Sequence, residues 1–170
     1  MYGCQIWTQK ILSVSDKVSI LQKNAVRIMT FSDFKAHSEP LFKQLEILKF
    51  KDSIALQNCL FVHDHLRGNL PSSLDKIFTR VNEIHSTNTK SAKLGMLNIP
   101  RCKGITYGVK SIYRNCINSW NMLTSEINKT EKAKSKNKYN EIDLKSFSKH
   151  KLKTIVTQHF LALYNLNNNE

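Results

Sequence analysis

The sequence predicts a mainly α-helical fold: a single bundle-like domain of about five helices with an irregular or short-stranded insert. The 170 residues include only five Gly and three Pro, too few for a turn-rich all-β protein. Apolar residues recur at helical spacing in several separate stretches. The apolar share of 41% and the charged share of 23% are ordinary for globular domains, so we expect a packed core.

The first predicted helix is capped by Ser15 or Asp16 and runs to about Phe31. Its apolar residues follow the 3.6-residue period, so we expect them to face the core and the polar residues to face solvent. The residues expected to face the core are Val18, Leu21, Ala25, Ile28 and Met29. The residues expected to face solvent are Lys17, Gln22, Lys23 and Arg27.

Two helix signals follow in tandem between Ser38 and Gly68, and we expect the second helix to lie at the centre of the fold. Ser38 and Asp52 are the predicted N-caps, because their side-chain oxygens can accept bonds from first-turn amides. Gly68 stands where a left-handed residue ends a helix. The second helix is apolar around most of its circumference, which predicts that neighbours cover it. Its apolar residues are Ile54, Ala55, Leu56, Cys59, Leu60, Phe61, Val62 and Leu66.

The middle of the chain predicts a short helix, the insert and a longer helix. Leu70-Pro71 begins the short helix, and its apolar residues can seal one end of the core: Leu74, Ile77 and Phe78. The stretch from about Thr87 to Ile105 lacks helical periodicity and forms the insert. Apolar residues of the longer helix then follow the helical spacing: Val109, Ile112, Tyr113, Cys116, Trp120 and Leu123.

Composition divides the chain into a helical core domain at 1–127, a Lys/Asn-rich linker at 128–141, and an amphipathic C-terminal helix with its tail at 142–170. We expect this last helix to dock on the main body through Leu152, Ile155, Val156, Phe160 and Leu163. Binding of the basic helix to a membrane surface is the alternative.

The net charge of +13 is unusually high for a globular domain of this size. Chains this basic usually bind nucleic acid, an anionic membrane surface or an acidic partner. The first residues show no basic, apolar leader, and no run approaches the roughly 20 apolar residues that cross a bilayer. The four cysteines form no C-x-x-C pair: Cys4, Cys59, Cys102 and Cys116. We therefore expect reduced thiols and an intracellular protein, nuclear or cytoplasmic, with no membrane partner and no small-molecule ligand.

The window from Ile84 to Ser125 contains no acidic residue but six basic ones. Such cations can follow a phosphate backbone and release its counterions, or they can simply solvate a surface. Aromatic side chains in the window can stack on bases, although Trp120 falls on the apolar stripe of its own helix and is expected in the core. The candidate nucleic-acid-binding residues are Lys90, Lys93, Arg101, Lys103, Lys110 and Arg114.

Two residue pairs are candidates for a chemical site. Cys59 and His63 share a helix face, but structural zinc needs four ligands and no second pair exists. We therefore expect a buried Cys59 beside surface imidazoles at His63 and His65, and no metal site. Cys102 with His85 lacks a third orienting group. We therefore predict no catalytic residue and no cofactor.

Short phrases occur in a fixed order along nearly the whole chain. They are Tyr2-Gly3 with Trp7, Leu21-Gln22-Lys23 through Arg27-Ile28, His37 to Leu48, Leu70-Pro71, His85 to Thr89, Tyr107-Gly108 through Ser111-Ile112, Trp120-Asn121, and Phe147, Phe160 and Tyr164. In this order the chain resembles the C-terminal, post-palm segment (thumb and downstream) of LINE-type, non-LTR, jockey-like retrotransposon reverse transcriptases. It departs from the family at Leu123-Thr124, where Leu-Pro is usual, and at Lys90, where Arg is usual.

The resemblance implies a fragment that contacts RNA or DNA and cannot polymerise by itself. Reverse transcription needs clustered aspartates that hold two metal ions, and in the family a Tyr-x-Asp-Asp turn supplies some of them. No tyrosine here precedes such a pair, and no two Asp are adjacent. The alternative is an interaction fragment that exposes an apolar patch to its missing polymerase domain, with Ile6, Trp7 and Ile11 the residues expected there.

Overall fold

A computed structural model describes residues 12–84, 87, 89–104, 111–134 and 142–164 of the chain. These residues form seven α-helices and two short 3₁₀ turns, and their only β-type pairing is one isolated antiparallel bridge between Arg80 and Leu97. The prediction of a mainly α-helical fold is confirmed. None of the described helices is long and apolar enough to cross a membrane.

Five of the described helices are long enough to build a bundle, and two are single turns, one just before the insert and one within it. In chain order they are α1 (Leu12–Met29), α2 (Ser38–Gln44), α3 (Phe50–Leu66), α4 (Val81–Ile84), α5 (Lys90–Lys93), α6 (Ile112–Lys134) and α7 (Lys149–Leu163). The 3₁₀ turns lie at Ser72–Leu74 and Leu144–Ser146.

Helix α3 lies at the centre, as its sequence predicts. It packs against α1, α6, α7 and the second 3₁₀ turn. Phe50, Leu56, Cys59, Leu60 and Val62 are buried, and the other apolar residues of α3 are half-buried. Because neighbours cover several sides of the helix, an apolar side chain is stable at almost every position around it.

Helices α6 and α7 complete the core from the C-terminal half. Trp120 is fully buried, as predicted, and Ile112 is the exposed member among the described residues of the expected stripe. Phe78 from the connection after α3 closes one end of the core. The buried side chains from α6 and α7 are Cys116, Ile117, Trp120, Leu123, Ile127, Leu152, Val156 and Phe160.

Four helices end in the same hydrogen-bonded motif, in which a left-handed residue follows the C-cap. Gly68 after α3 has φ 73°, as predicted, and Gly95 after α5 has φ 66°. At the ends of α1 and α2 the same position is occupied by Phe31 with φ 51° and Glu46 with φ 53°. After α1, the Phe31 amide donates to Ile28 and the amide of the next residue donates to Arg27.

The predicted N-caps of α2 and α3 are wrong by one and three residues. His37 and Lys49 occupy the cap positions, and neither side chain bonds to the helix. Ser38 is the first residue of α2 and is buried. Asp52 lies in the first turn of α3, where its carboxylate accepts a hydrogen bond from the Tyr164 hydroxyl. The Asp52 side chain, which the local sequence predicts as an N-cap, thus bonds instead to Tyr164 at the end of α7.

The predicted inward face of α1 is also wrong. Val26 is 2% exposed, whereas Ile28 is 75% exposed and Leu21 is 67% exposed. The Gln22 amide reaches the α2–α3 connection, where its nitrogen donates to the Leu48 carbonyl at 2.9 Å. Its oxygen accepts from the Phe50 amide at 2.7 Å. Buried backbone groups need hydrogen-bond partners, and Gln22 supplies them here, so the polar face of α1 packs against the α2–α3 connection.

Helix α1 also begins earlier than predicted, and α6 ends later. The described part of α1 starts at Leu12, so the expected caps Ser15 and Asp16 lie inside it. Helix α6 continues through Lys134, so the first half of the predicted linker is helical. Asn128 is buried there, where it donates to the Ile142 carbonyl at 3.0 Å and accepts from the Ile142 amide at 2.8 Å. Ile6, Trp7, Ile11 and Val109 lie outside the described residues, as does the second half of the predicted linker (135–141).

Candidate nucleic-acid interface

The predicted basic residues lie mainly on one segment, 89–104, which we call the basic strip. It begins with Thr89, whose hydroxyl caps α5 by accepting a hydrogen bond from the Ala92 amide at 3.3 Å. Ala92, Leu94 and Leu97 are buried, and they fix the strip to the body of the protein. The side chains that the strip exposes are mainly polar, with Ile99 the apolar exception.

Helix α6 holds the strip with two adjacent residues. The Asn121 side chain binds both backbone groups of Leu97, since it accepts from the amide and donates to the carbonyl at 2.8 Å each. The Trp120 indole N–H donates to the Gly95 carbonyl at 3.3 Å. An amide side chain that satisfies both groups of one residue takes the place of a strand partner on the side of this extended segment that faces α6.

The connection before α4 supports the opposite edge of the strip. The Asn98 amide donates to the Thr79 carbonyl at 2.9 Å, and the Val81 amide donates to the Met96 carbonyl at 3.0 Å. These bonds form the isolated bridge between Arg80 and Leu97. The described part of the insert is therefore irregular, but its backbone is anchored around Leu97.

Four of the predicted cations are exposed on the basic strip. Lys90 and Lys93 lie on α5, and Arg101 and Lys103 lie beyond Pro100. None of the four has an ion pair with any described residue. Exposed cations with no carboxylate partner keep their charge available for phosphate oxygens.

The two remaining predicted residues behave differently. Arg114, on the first turn of α6, is half-buried and donates to the Pro100 carbonyl at 3.0 Å. It positions the loop that carries Arg101 and adds a positive charge behind it. Lys110 lies outside the described residues.

Aromatic stacking with bases finds limited support in the fold. Trp120 is fully buried. Tyr113 is half-buried and stacks on Phe78, with ring centroids 5.4 Å apart. Burial raises the pKa of Tyr113, with a smaller contribution from nearby Cys102. Tyr107 lies outside the described residues, so the strip is characterised here by its cations rather than its rings.

Tertiary folding brings one carboxylate to this region from far along the chain. Asp143 receives two hydrogen bonds from the Arg80 guanidinium, at 3.1 and 3.2 Å. It lies against Gly95, where an added Cβ would be 2.9 Å from the carboxylate. Because Arg80 neutralises Asp143, the strip keeps its positive character.

The Cys59 and His63 pair is part of the core. His63 is 1% exposed, and its Nε2 bonds to the Phe147 carbonyl at 2.9 Å, so the expected surface imidazole is wrong. Burial raises the pKa of the Cys59 thiol, and the nearby Cys116 raises it further. No group of three or more metal-ligating side chains occurs among the described residues. Cys102 is exposed, while His85 lies outside the described residues.

Sequence reasoning missed Asn121, Arg80 and Asp143 as supports of the basic strip. An Asn next to a buried Trp within a helix is the one local signal, because its amide needs partners that a helix cannot supply. The ion pair between Arg80 and Asp143 joins residues 63 positions apart and has no local signal.

Comparisons of the chain with protein-family models, with curated proteins and with solved structures gave no match.

Proposed function

We propose that this chain binds the sugar–phosphate backbone of RNA or DNA through the basic strip, as a post-palm segment of a LINE-type reverse transcriptase. The proposal assigns it no polymerase activity of its own, because the sequence lacks the paired aspartates of that reaction. The family assignment rests on the ordered phrases, and the binding role rests on the strip.

One observation carries the binding role. Four cations, Lys90, Lys93, Arg101 and Lys103, are exposed on a single anchored segment and have no described carboxylate partner. Charges on a segment whose backbone is already anchored can bind phosphates at a smaller cost of backbone ordering. Contacts of this kind depend little on base sequence, so we expect weak discrimination among strands.

A salt titration of strand binding tests this role. Each phosphate neutralised adds about −0.7 to −0.9 to the slope of log affinity against log salt, so four to six contacts give roughly −3 to −5. The variant K90A/K93A/R101A/K103A should bind more weakly and flatten the slope by about 3. Fluorescence anisotropy with labelled RNA and DNA measures both quantities.

The control variant removes four exposed lysines from other surfaces: K17A/K129A/K132A/K153A. It carries the same change in net charge, so it reproduces any effect of overall charge alone. If both variants flatten the slope equally, the basic strip has no special role and the binding proposal fails.

A specific observation favours a second role, as an interaction surface for the polymerase domain. Large apolar side chains stand exposed along α1 and the loop after it, and we call them the α1 apolar face. Its members are Ile20, Leu21, Ile28, Met29, Phe31 and Phe34. Monomeric proteins rarely expose so many neighbouring apolar groups unless something binds them.

Phe31 strengthens this second role. It is 98% exposed and adopts φ 51°, a left-handed conformation that favours glycine. The strain costs roughly 1 kcal/mol for a residue with a Cβ. The Phe31 side chain is exposed and its backbone is strained, so stability of the isolated fold does not explain an aromatic residue at this position. In the resembling family the polymerase domain precedes this segment, and we infer that it covers the α1 apolar face.

The variant Phe31→Gly tests whether the α1 apolar face is exposed in the isolated chain and covered when a polymerase domain is present. In the isolated chain we expect the free energy of unfolding to rise by up to about 1 kcal/mol, because strain is relieved. In the chain expressed behind a LINE-type polymerase domain, the same change should lower the melting temperature. Ser32→Gly, next to Phe31, is the control. An isolated wild-type chain that is monomeric, soluble and two-state, and that binds no hydrophobic dye, would contradict an uncovered interface.

A further inference from the structure

A second cationic site lies on a different part of the molecule from the basic strip. A cleft of about 450 Å³ opens between α1, the loop before α2 and the first turn of α3. This volume lies within the range of about 300 to 1,000 Å³ that is common for small-molecule sites. The inference drawn from this cleft does not rest on the proposed function.

The walls of the cleft are fixed by side chains that bind backbone groups. The Arg27 Nε donates to the Ala36 carbonyl at 2.9 Å, which joins α1 to the loop before α2. Gln22 bridges the Leu48 carbonyl and the Phe50 amide, which joins α1 to the start of α3. The backbone walls of the cleft are therefore formed before any ligand arrives, so binding requires little ordering of the backbone.

The charges that line the cleft are unbalanced. Five cationic side chains line it against two carboxylates. The cations are Lys23, Arg27, Lys35, Lys49 and Lys51. Both carboxylates are already engaged within the protein, since Glu39 pairs with Lys49 and Asp52 accepts from the Tyr164 hydroxyl. Lys51 pairs with Asp16 at 3.0 Å outside the cleft.

Lys23 and Lys35 are the cations left for a ligand. Both side chains are exposed, and neither has an ion pair with any described residue. Lys23 belongs to α1 and Lys35 to the loop before α2, and both residues line the cleft. Two lysines that line one cleft suit a compact, multiply charged anion, and a phosphate monoester carries about −1.5 to −2 charges at neutral pH.

We propose that this cleft binds a phosphate monoester, with Lys23 and Lys35 bonding to its phosphoryl oxygens. The cleft is larger than a phosphate group requires, so it also accommodates part of the attached organic group. A free nucleotide and the phosphorylated end of a nucleic-acid strand share this chemistry.

Isothermal titration calorimetry at a fixed ionic strength of about 0.1 M tests the proposal, because long-range attraction is largely screened there. Adenosine monophosphate and a short 5′-phosphorylated oligonucleotide are compared with adenosine and the 5′-hydroxyl oligonucleotide. We expect saturable binding that needs the phosphate. Tighter binding of the nucleotide supports a free nucleotide as the ligand, and tighter binding of the phosphorylated strand supports a strand end.

K23A/K35A should weaken binding of the phosphorylated probe at least about tenfold, since two charge-assisted bonds are lost. K23R/K35R keeps both charges and should stay within about threefold of wild type. The matched control K132A/K153A removes two exposed lysines elsewhere and should bind as wild type does. Equal binding of phosphorylated and unphosphorylated probes, or unchanged binding by K23A/K35A, would overturn the proposal. The basic strip is intact in all these variants, so this result is separate from that of the salt titration.

Discussion

Asp52 is the carboxyl group whose environment the fold changes most clearly. Burial raises its pKa above the ordinary value of 3.8, although the hydrogen bond from Tyr164 and the charge of Lys49 oppose the shift. Burial, followed by the hydrogen bond to Asp52, raises the pKa of Tyr164. The Tyr164 oxygen also accepts from the Lys49 amide at 3.0 Å. This cluster ties the end of α7 to the start of α3.

The raised pKa of Asp52 predicts a pH dependence with a definite sign. The native state holds the proton more tightly than the unfolded state, so the stabilisation is complete below pH 3.8 and is lost as pH rises through the native pKa. Asn at this position cannot ionise and can still accept from Tyr164. As pH rises from about 4 to about 7, the free energy of unfolding of wild type should therefore fall relative to that of Asp52→Asn.

Urea denaturation of both proteins across this pH range measures the difference. Asp33→Asn changes an exposed carboxylate and serves as the control. A difference between Asp52→Asn and wild type that stays constant or falls as pH rises would contradict the assignment.

Gly95 and Gly68 have similar left-handed backbones but different surroundings. A Cβ at Gly68 would meet nothing within 4 Å, whereas one at Gly95 would lie 2.9 Å from the Asp143 carboxylate. Gly68→Ala should cost about 1 kcal/mol from backbone strain. Gly95→Ala should cost at least about 1 kcal/mol more, because Asp143 must shift away from Arg80. Equal losses in chemical denaturation would show that Asp143 moves freely.

At the scale of the element, α1 shows how tertiary contacts can override an apolar pattern. Counting apolar residues at helical spacing predicts that Ile28 faces the core, but Val26 does so. The face that packs inward carries Gln22 and Arg27, and both bind backbone groups of the α2–α3 region. Their bonds extend to residues as distant as Phe50, which no pattern within α1 can reveal.

A pair of truncations in α1 tests this orientation. Val26→Ala should cost about 1 to 2 kcal/mol, because it removes buried methyl groups and leaves a cavity. Ile28→Ala removes more atoms but should stay within about 0.5 kcal/mol, because its side chain is 75% exposed. Denaturant midpoints of the two variants measure the contrast. A larger loss from Ile28→Ala would restore the orientation that the sequence pattern predicts.

Helix ends divide between those that sequence can predict and those that it cannot. Gly68 marks the end of α3 because glycine is the residue that adopts positive φ most readily. Phe31 and Glu46 take the same conformation at the ends of α1 and α2, and neither residue type signals it. Local residue preference therefore does not explain where α1 and α2 end.

At the scale of the whole molecule, the reactivity of the cysteine thiols measures whether the core is intact. Cys59 and Cys116 are buried, whereas Cys102 is exposed. Burial raises the pKa of Cys116 to about 12, so it carries almost no thiolate at neutral pH. Cys4 lies outside the described residues, and Cys4→Ser removes its contribution to the experiment.

In the Cys4→Ser variant we expect one thiol, Cys102, to react quickly with a disulfide reagent. Cys59 and Cys116 should react at least about 1,000-fold more slowly, since they need global opening that costs about 5 kcal/mol or more. Mass spectrometry of labelled peptides identifies each site, and Cys102→Ser should abolish the fast phase. Rapid labelling of Cys59 or Cys116 would show that α3 and α6 do not form a stable core.

Sequence alone determined the helical class, the central position of α3 and the burial of Trp120, because these depend on residue periodicity and on total apolar content. It also located the cations of the basic strip, since charge is visible in the chain itself. Tertiary structure alone decided which face of α1 turns inward, how Asn121 and Arg114 hold the strip, and how five cations meet in one cleft. Those outcomes depend on contacts between residues distant in sequence, where buried backbone groups and charges choose their partners only after the helices have packed.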